Sequence, residues 1–316
     1  MSRYCLATGV QAGARALEAL CRAGTMPALV LGYNSVLRDR AGYAALSEIT
    51  AAWGVPLLET ADINGSEVEA ALAAEPCDLL VVAGWSQIVR PHILRRFPLG
   101  GVGVHPTRLP QGRGRAPIPW TLIKGLRESA VTLFSLDQTV DSGDIIDVEP
   151  VALSLRDDAA SLYAKVADAH AALLVRSVPR LLTGTADRRR QDQGGDVWPR
   201  RCPDDGRIDW SKPAGELYDW VRALSSPYPG AFTTLPDQRR LTVWRADLPS
   251  WAAPEGHAAG VVVGADLSTR EGGVAVACGD GRTLVLREVE LDGAGRHDAL
   301  RLLEDGTIVA GDGLGC

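Results

Sequence analysis

The N-terminal half of the sequence repeats one alternation: a short apolar run rich in β-formers, then a stretch with helical periodicity. YCLATG precedes ARALEALCRAG, PALVLGY precedes GYAALSEITAAWG, VPLLET precedes a helix near EVEAALAA, and DLLVVAG follows. Apolar strands without polar alternation are buried on both faces, and strands separated by helices pair in parallel. This half therefore folds as α/β, around a parallel-rich sheet covered by helices. Such sheets take ligands outside the carboxyl ends of their strands. Two of those ends are prominent here: DLLVVAG leads into WSQIV, and GGVGV leads into HPTRLP.

Beyond that region an amphipathic strand, VTLFSL, a turn, DSGD, and a strand around IIDVEPVAL are expected. A long helix should begin near Asp157, with Leu162, Val166, Ala169 and Leu173 as its apolar stripe, until Pro179 kinks or ends it. Residues 184–207 are polar with Gly and Pro, which reads as a linker or a substrate-facing loop. Pro213 then opens a helix, PAGELYDWVRALS. Short strands follow (LTVWRA, GVVVGA, GVAVAC, TLVLREVEL), the pattern of a small β-barrel. The 316 residues fit about two domains, expected at 1–200 and 201–316.

Composition excludes several classes. There is no 18-residue apolar run for a transmembrane helix. The start, MSRYCLATGV, reads as a first buried strand of a cytoplasmic protein and not as a signal peptide. The six cysteines are spread over the chain with no C-x-x-C, which argues against a zinc site or a disulfide framework. The formal net charge of −6 speaks against a polyanionic partner.

His105 is one of only five histidines and ends a strand before a loop stiffened by Pro106 and Pro110. Loops at strand ends carry functional side chains, yet a buried histidine bonded to backbone fits its position equally well. Asp141, 36 residues on in VDSGD, is either a turn aspartate bonded to its own backbone or the partner of His105 in acid–base chemistry. No serine or cysteine elbow accompanies them. Gly9 and Gly13 do not form G-x-G-x-x-G, so a dinucleotide site is not expected.

AGWSQIV, HPTRLPQGRGRAPIPW and LDQTVDSGDII, in this order, resemble successive motifs of the 10-formyltetrahydrofolate-dependent formyltransferases. DGRIDWSKPAGELYDWVRALSSPYPGAF resembles the hinge and opening helix of that family's C-terminal domain. The resemblance implies a Rossmann-like catalytic domain followed by an OB-like β-barrel, 10-formyltetrahydrofolate as co-substrate, and no metal. It also implies site roles. His105 corresponds to a donor to the tetrahedral oxyanion, and Asp141 to the aspartate that orients it and helps move protons. Ser86, Gln87, Ile88 and Val89 correspond to the folate-pocket segment. Val140, Asp141, Gly143 and Asp144 correspond to the loop that meets the pterin. Pro106, Arg113 and Arg115, with Gly103, are expected on the acceptor side.

The chain departs from the family at one position. Where the family has Asn-x-His this sequence has Gly103, and its only asparagines are Asn34 and Asn64. An oxyanion donor is worth about 3 kcal/mol, so Arg113, Arg115, water or the acceptor must supply it, or the chemistry is slow or different. Glycine there is expected to leave room for the acceptor or for a side chain from another loop. The family's tRNA-acting members carry a longer basic loop and a basic C-terminal domain. Residues 231–316 hold eight Arg, no Lys and thirteen Asp or Glu. A small amine is therefore the expected acceptor, an amino-sugar nucleotide or an N-hydroxyornithine bound for a siderophore or another natural product, with tRNA disfavoured. Formylation of methionyl-tRNA, hydrolysis of the folate and folate binding without catalysis are the alternatives. A homodimer stays open.

Overall fold

The computed structural model describes residues 2–38, 42–137, 139–192, 194–251, 253 and 256–315. The chain forms two units. The first comprises residues 1–117, 127–154 and 161–200, and the second residues 118–126, 155–160 and 201–316.

The N-terminal alternation becomes β1 (Tyr4–Ala7), α1 (Gln11–Arg22), β2 (Leu29–Tyr33), α2 (Ser47–Trp53), β3 (Leu57–Thr60), α3 (Ser66–Ala74) and β4 (Leu79–Ala83). A one-turn helix, α4 (Pro91–Leu94), leads into β5 (Gly101–His105), followed by the two-residue β6 (Arg113–Gly114) and α5 (Pro117–Ile123). The hairpin β7 (Glu128–Ser135) and β8 (Ile145–Ala152), the long α6 (Ala159–Leu182) and the two-residue β9 (Val197–Trp198) come next. The main sheet has the order β3-β2-β1-β4-β5-β7-β8. Its first five strands are parallel, while β7 is antiparallel to both β5 and β8. The continuous apolar runs of β1, β2 and β4 are buried throughout, as doubly covered strands must be.

The strand order reverses between β1 and β4. Tyr33 lies over Gly9 just past β1 and packs 4.2 Å from Trp85 just past β4. Side chains of the chain itself thus occupy the switch point where a dinucleotide would bind. The α6 stripe Leu162, Val166, Ala169 and Leu173 is buried, and the helix continues for three residues past Pro179 before it ends. No helix among the described residues is long and apolar enough to cross a membrane.

His170 of α6 is 2 % exposed and its Nδ1 donates to the Val166 carbonyl at 2.8 Å. Burial lowers its pKa from 6.5 to about 4. Above pH 6.5 the ring is neutral in folded and unfolded chains alike. As pH falls from 6.5 toward 4 only the unfolded chain takes up the proton, so stability drops, by roughly 3 kcal/mol at most. Urea midpoints at pH 7 and pH 4.5 should show less acid sensitivity in His170→Met than in the wild type; equal losses would remove His170 as the cause.

In the second unit, α7 (Ala214–Leu224) precedes an antiparallel sheet of β10 (Ala231–Thr234), β11 (Arg240–Asp247), β12 (Val262–Asp266), β13 (Gly273–Ala277), β14 (Thr283–Leu291) and β15 (Arg296–Asp298), with α8 (Arg301–Glu304) after it. The order is β10-β11-β14-β13-β12, and β15 pairs with β14. Leu241, Val243 and Val289 point into the core. On the other face the Arg240 guanidinium stands 3.7 Å from the Phe232 ring and that of Arg296 3.7 Å from Trp244. Arg201, at the start of this unit's long segment, lies between Trp120 of α5 and Trp220 of α7, 5.0 and 4.6 Å from their rings.

Candidate active site

Val102 and Val104 turn to one side of β5, and Gly103 and His105 to the other, as strand alternation requires. His105 is 7 % exposed. Its Nε2 donates to the Gly112 carbonyl at 2.8 Å, and the Thr107 hydroxyl donates to the same oxygen at 3.3 Å. A carbonyl only accepts, so Nε2 carries the hydrogen. The other ring nitrogen, Nδ1, faces Asp141 Oδ2 at 3.5 Å. Asp141 follows β7 in a left-handed conformation, φ 54°, uncommon for a residue with a side chain. Its Oδ2 accepts from the Gly114 N–H at 2.9 Å. Its Oδ1 carries no bond among the described residues. The pair expected from the sequence is therefore brought together, with the ring bonded through Nε2, Nδ1 facing the carboxylate and one carboxylate oxygen open.

Gln191 supports this turn from the segment that the sequence leaves as linker or loop. Its amide nitrogen donates to the Asp141 and Gly143 carbonyls at 2.9 and 2.7 Å, and its oxygen accepts from Arg113 Nε and Nη2 at 3.2 and 2.7 Å. Every hydrogen-bonding position of the buried amide is used. Gly143 is required by close approach: a Cβ there would lie 1.8 Å from the Ser135 carbonyl oxygen. A polar cavity of about 450 Å³ opens beside this turn, lined by Arg113, Ser135, Asp144, Arg188, Arg190 and Gln191 among others. No periodicity marks Gln191 in the sequence, where it lies in a stretch that is polar with Gly and Pro.

The Ser86–Val89 segment leaves β4 and is tied to the loop after β3. The Ser86 N–H donates to the Tyr33 hydroxyl at 3.0 Å. The Gln87 oxygen accepts from Ile63 N and Trp85 Nε1, both at 3.0 Å, and its nitrogen donates to the Ala61 carbonyl at 2.8 Å. Asn64 bridges the Ile88 carbonyl and the Arg90 N–H. Ile88 and Val140 are 60 % and 49 % exposed, which leaves both apolar side chains accessible. Asp144 lines the polar cavity, and its carbonyl accepts from Ser135 N. Pro106 is half-buried; Arg115 is exposed and its N–H donates to the Trp198 carbonyl at 2.9 Å.

Three expectations change. Val89 is buried with Ile93 and Phe97, so its side chain belongs to the core. Gly103 offers no room to an acceptor. A Cβ there would stand 2.9 Å from both Leu136 Cδ2 and Phe134 Cζ, because Phe134 pairs directly opposite Gly103 on β7. The space belongs to a side chain from a neighbouring strand. His105, expected to donate to an oxyanion, has its Nε2 bonded to the Gly112 carbonyl.

The sequence matches the family described as Formyl transferase over residues 28–178, and the Formyl transferase C-terminal domain over residues 202–304. The chain belongs to the formyl transferase family. It is an N-formyltransferase whose formyl donor is 10-formyltetrahydrofolate. Methionyl-tRNA formyltransferase of Symbiobacterium thermophilum is 35 % identical over 303 residues, 93 % of this chain and 90 % of that protein. Among solved structures, the N-formyltransferase from Helicobacter canadensis in complex with folinic acid and dTDP-3-aminofucose superposes with a TM-score of 0.65 at 15 % identity, over 90 % of this chain and 99 % of that one. HypX from Aquifex aeolicus in complex with tetrahydrofolic acid gives 0.65 at 16 % identity over 97 % of this chain, which spans only 48 % of that protein. At such identities these two likenesses concern the fold. Among the described residues no group of three or more His, Cys, Asp or Glu is placed to hold a metal.

The full-length relationship to a methionyl-tRNA formyltransferase overturns the expectation of a small amine acceptor in natural-product or siderophore chemistry, and with it the expectation that tRNA is disfavoured. The error has a physical source. A net charge averages over a surface and gives no positions: in the second unit Arg240 and Arg296 share one sheet face with Phe232, Trp244 and Glu290.

Proposed function

We propose that the enzyme transfers the formyl group of 10-formyltetrahydrofolate to the amino group of methionyl-tRNA, in the cytoplasm, with residues 1–200 as its catalytic domain and 201–316 as a C-terminal accessory domain. The observation that carries the acceptor is the 35 % identity, over nearly all of both chains, to a methionyl-tRNA formyltransferase. In this reading the amine nitrogen attacks the formyl carbon, and a tetrahedral oxyanion forms. The new C–N bond is kept, the bond to folate N10 breaks, and the proton lost by the amine ends on N10. Asp141 Oδ1 is the open acceptor for that proton. Its other oxygen is fixed by the Gly114 N–H and faces His105 Nδ1. Exposed Ile88 and Val140 flank the folate, and the Arg113 guanidinium, braced by Gln191, is a candidate donor to the oxyanion.

The test uses 10-formyltetrahydrofolate with charged initiator tRNA at physiological salt. Formylmethionyl-tRNA is expected to accumulate, with one tetrahydrofolate released per formyl transferred. Release of tetrahydrofolate without any acceptor would mark a hydrolase. Saturable folate binding with no release would mark a binder.

A further inference from the structure

We propose that Asp196 is a positioning residue that fixes which nitrogen of His105 carries the proton. The assignment rests on His105 and Asp141 being the reacting pair. Asp196 lies just before β9 and holds both peptide groups that flank Gly112. Its Oδ1 accepts from the Gly112 N–H at 2.8 Å, and its backbone carbonyl accepts from the Arg113 N–H at 3.2 Å. Its Oδ2 accepts from the Trp198 indole at 2.5 Å. The parallel pairing of β6 with β9, Arg113 with Val197 and Gly114 with Trp198, continues the same attachment.

The consequence falls on Gly112. With the peptides on both its sides fixed, its carbonyl oxygen stays 2.8 Å from His105 Nε2. Which nitrogen of an imidazole is protonated is decided by the bond the other nitrogen makes. A carbonyl against Nε2 keeps the hydrogen there and leaves Nδ1 toward Asp141. A proton collected by the carboxylate can then be shared with Nδ1 and returned to the leaving nitrogen of the folate. If the Gly112 carbonyl swings away, the neutral ring can place its hydrogen on Nδ1 and donate it to Asp141. The carboxylate then becomes a weaker acceptor for the amine's proton, and turnover falls. Asp196 reaches His105 through the Gly112 peptide, directly by its Oδ1 and indirectly by the Trp198 indole that its Oδ2 holds against Gly112.

The experiment is two-dimensional ¹H–¹⁵N NMR of the histidine rings in the full chain at neutral pH, with His105→Gln used to assign the His105 signals. The spectrum reads the resting protein and does not depend on the acceptor, so a wrong acceptor leaves the result intact. In the wild type, Nε2 of His105 should show the protonated shift. In Asp196→Ala, the signals should move toward the Nδ1–H tautomer or an average of the two. The kcat for tetrahydrofolate release should fall by about tenfold, with KM for the folate changed less than about twofold, as for a lost acid–base contribution. Asp196→Asn combined with Trp198→Phe, which removes the indole N–H that an amide nitrogen cannot accept from, keeps an acceptor oxygen for the Gly112 N–H and should retain the wild-type ring signals and most of kcat. Asp196→Ser provides the same readout if the alanine variant does not fold. An unchanged His105 pattern in Asp196→Ala or Asp196→Ser overturns the proposal. So does an equal change in Asp196→Asn with Trp198→Phe, which would make charge and not placement the cause.

Discussion

Asp141→Asn should lower kcat at least about a hundredfold while leaving KM for the folate within a small factor, because an amide keeps the shape of the turn but cannot take the amine's proton. The geometry makes the loss specific. One oxygen of Asp141 is already committed to the Gly114 N–H, so the other is the only one open. An asparagine can keep the first bond through its oxygen and would then present an N–H₂ to the incoming amine. His105→Ala should cost about as much, since it removes the ring that shares the proton. The two losses should not multiply: a pair that handles one proton is a unit, and the double variant should be close to the worse single one. Strict multiplicativity in tetrahydrofolate release would show that the two side chains act separately.

Gly103→Asn should destabilise the fold and fail to raise kcat. A Cβ at this position meets Leu136 and Phe134 at 2.9 Å, and the amide beyond it would enter the apolar cluster formed by Phe134, Leu109 and Ile145. Overpacking and an unpaired buried amide together cost on the order of 3–5 kcal/mol, or on the order of 10 °C in Tm. The neighbours are the tips of flexible side chains, so the strain has a remedy. Adding Phe134→Ala to Gly103→Asn should recover part of the stability, and in that background the amide can reach toward the reacting carbon. A rise in kcat of tenfold or more in the double variant would identify a missing donor that packing had displaced. The same rise in Gly103→Asn alone, with unchanged Tm, would mean that Phe134 and Leu136 do not hold the space.

The parts of the fold governed by local pattern were legible. Apolar runs such as LLVVA and the stripe from Leu162 to Leu173 follow from period and burial. His105 and Asp141 stood out by resemblance, since position alone left a structural histidine and a turn aspartate equally acceptable. Their supports did not stand out. Gln191 and Asp196 act through long-range polar bonds to Arg113, Asp141, Gly143 and Gly112, and such bonds leave no periodicity. β6 and β9 are two residues each, too short for any pattern. Gly103 could be read as a departure, but Phe134 had to be paired with it across the sheet before the filled space was visible. The acceptor was misread because a count of charges carries no positions.

The second unit draws residues 118–126 and 155–160 from the N-terminal half, so the chain passes between the units five times. These are not two cassettes joined by one tether. A hybrid made with a relative by a single crossover near residue 200 inherits residues 118–126 and 155–160 from one parent and the rest of the unit they belong to from the other. Exchange of acceptor preference by recombination therefore has to move the inserted segments along with the C-terminal piece, and limited proteolysis near residue 200 should release fragments that remain associated.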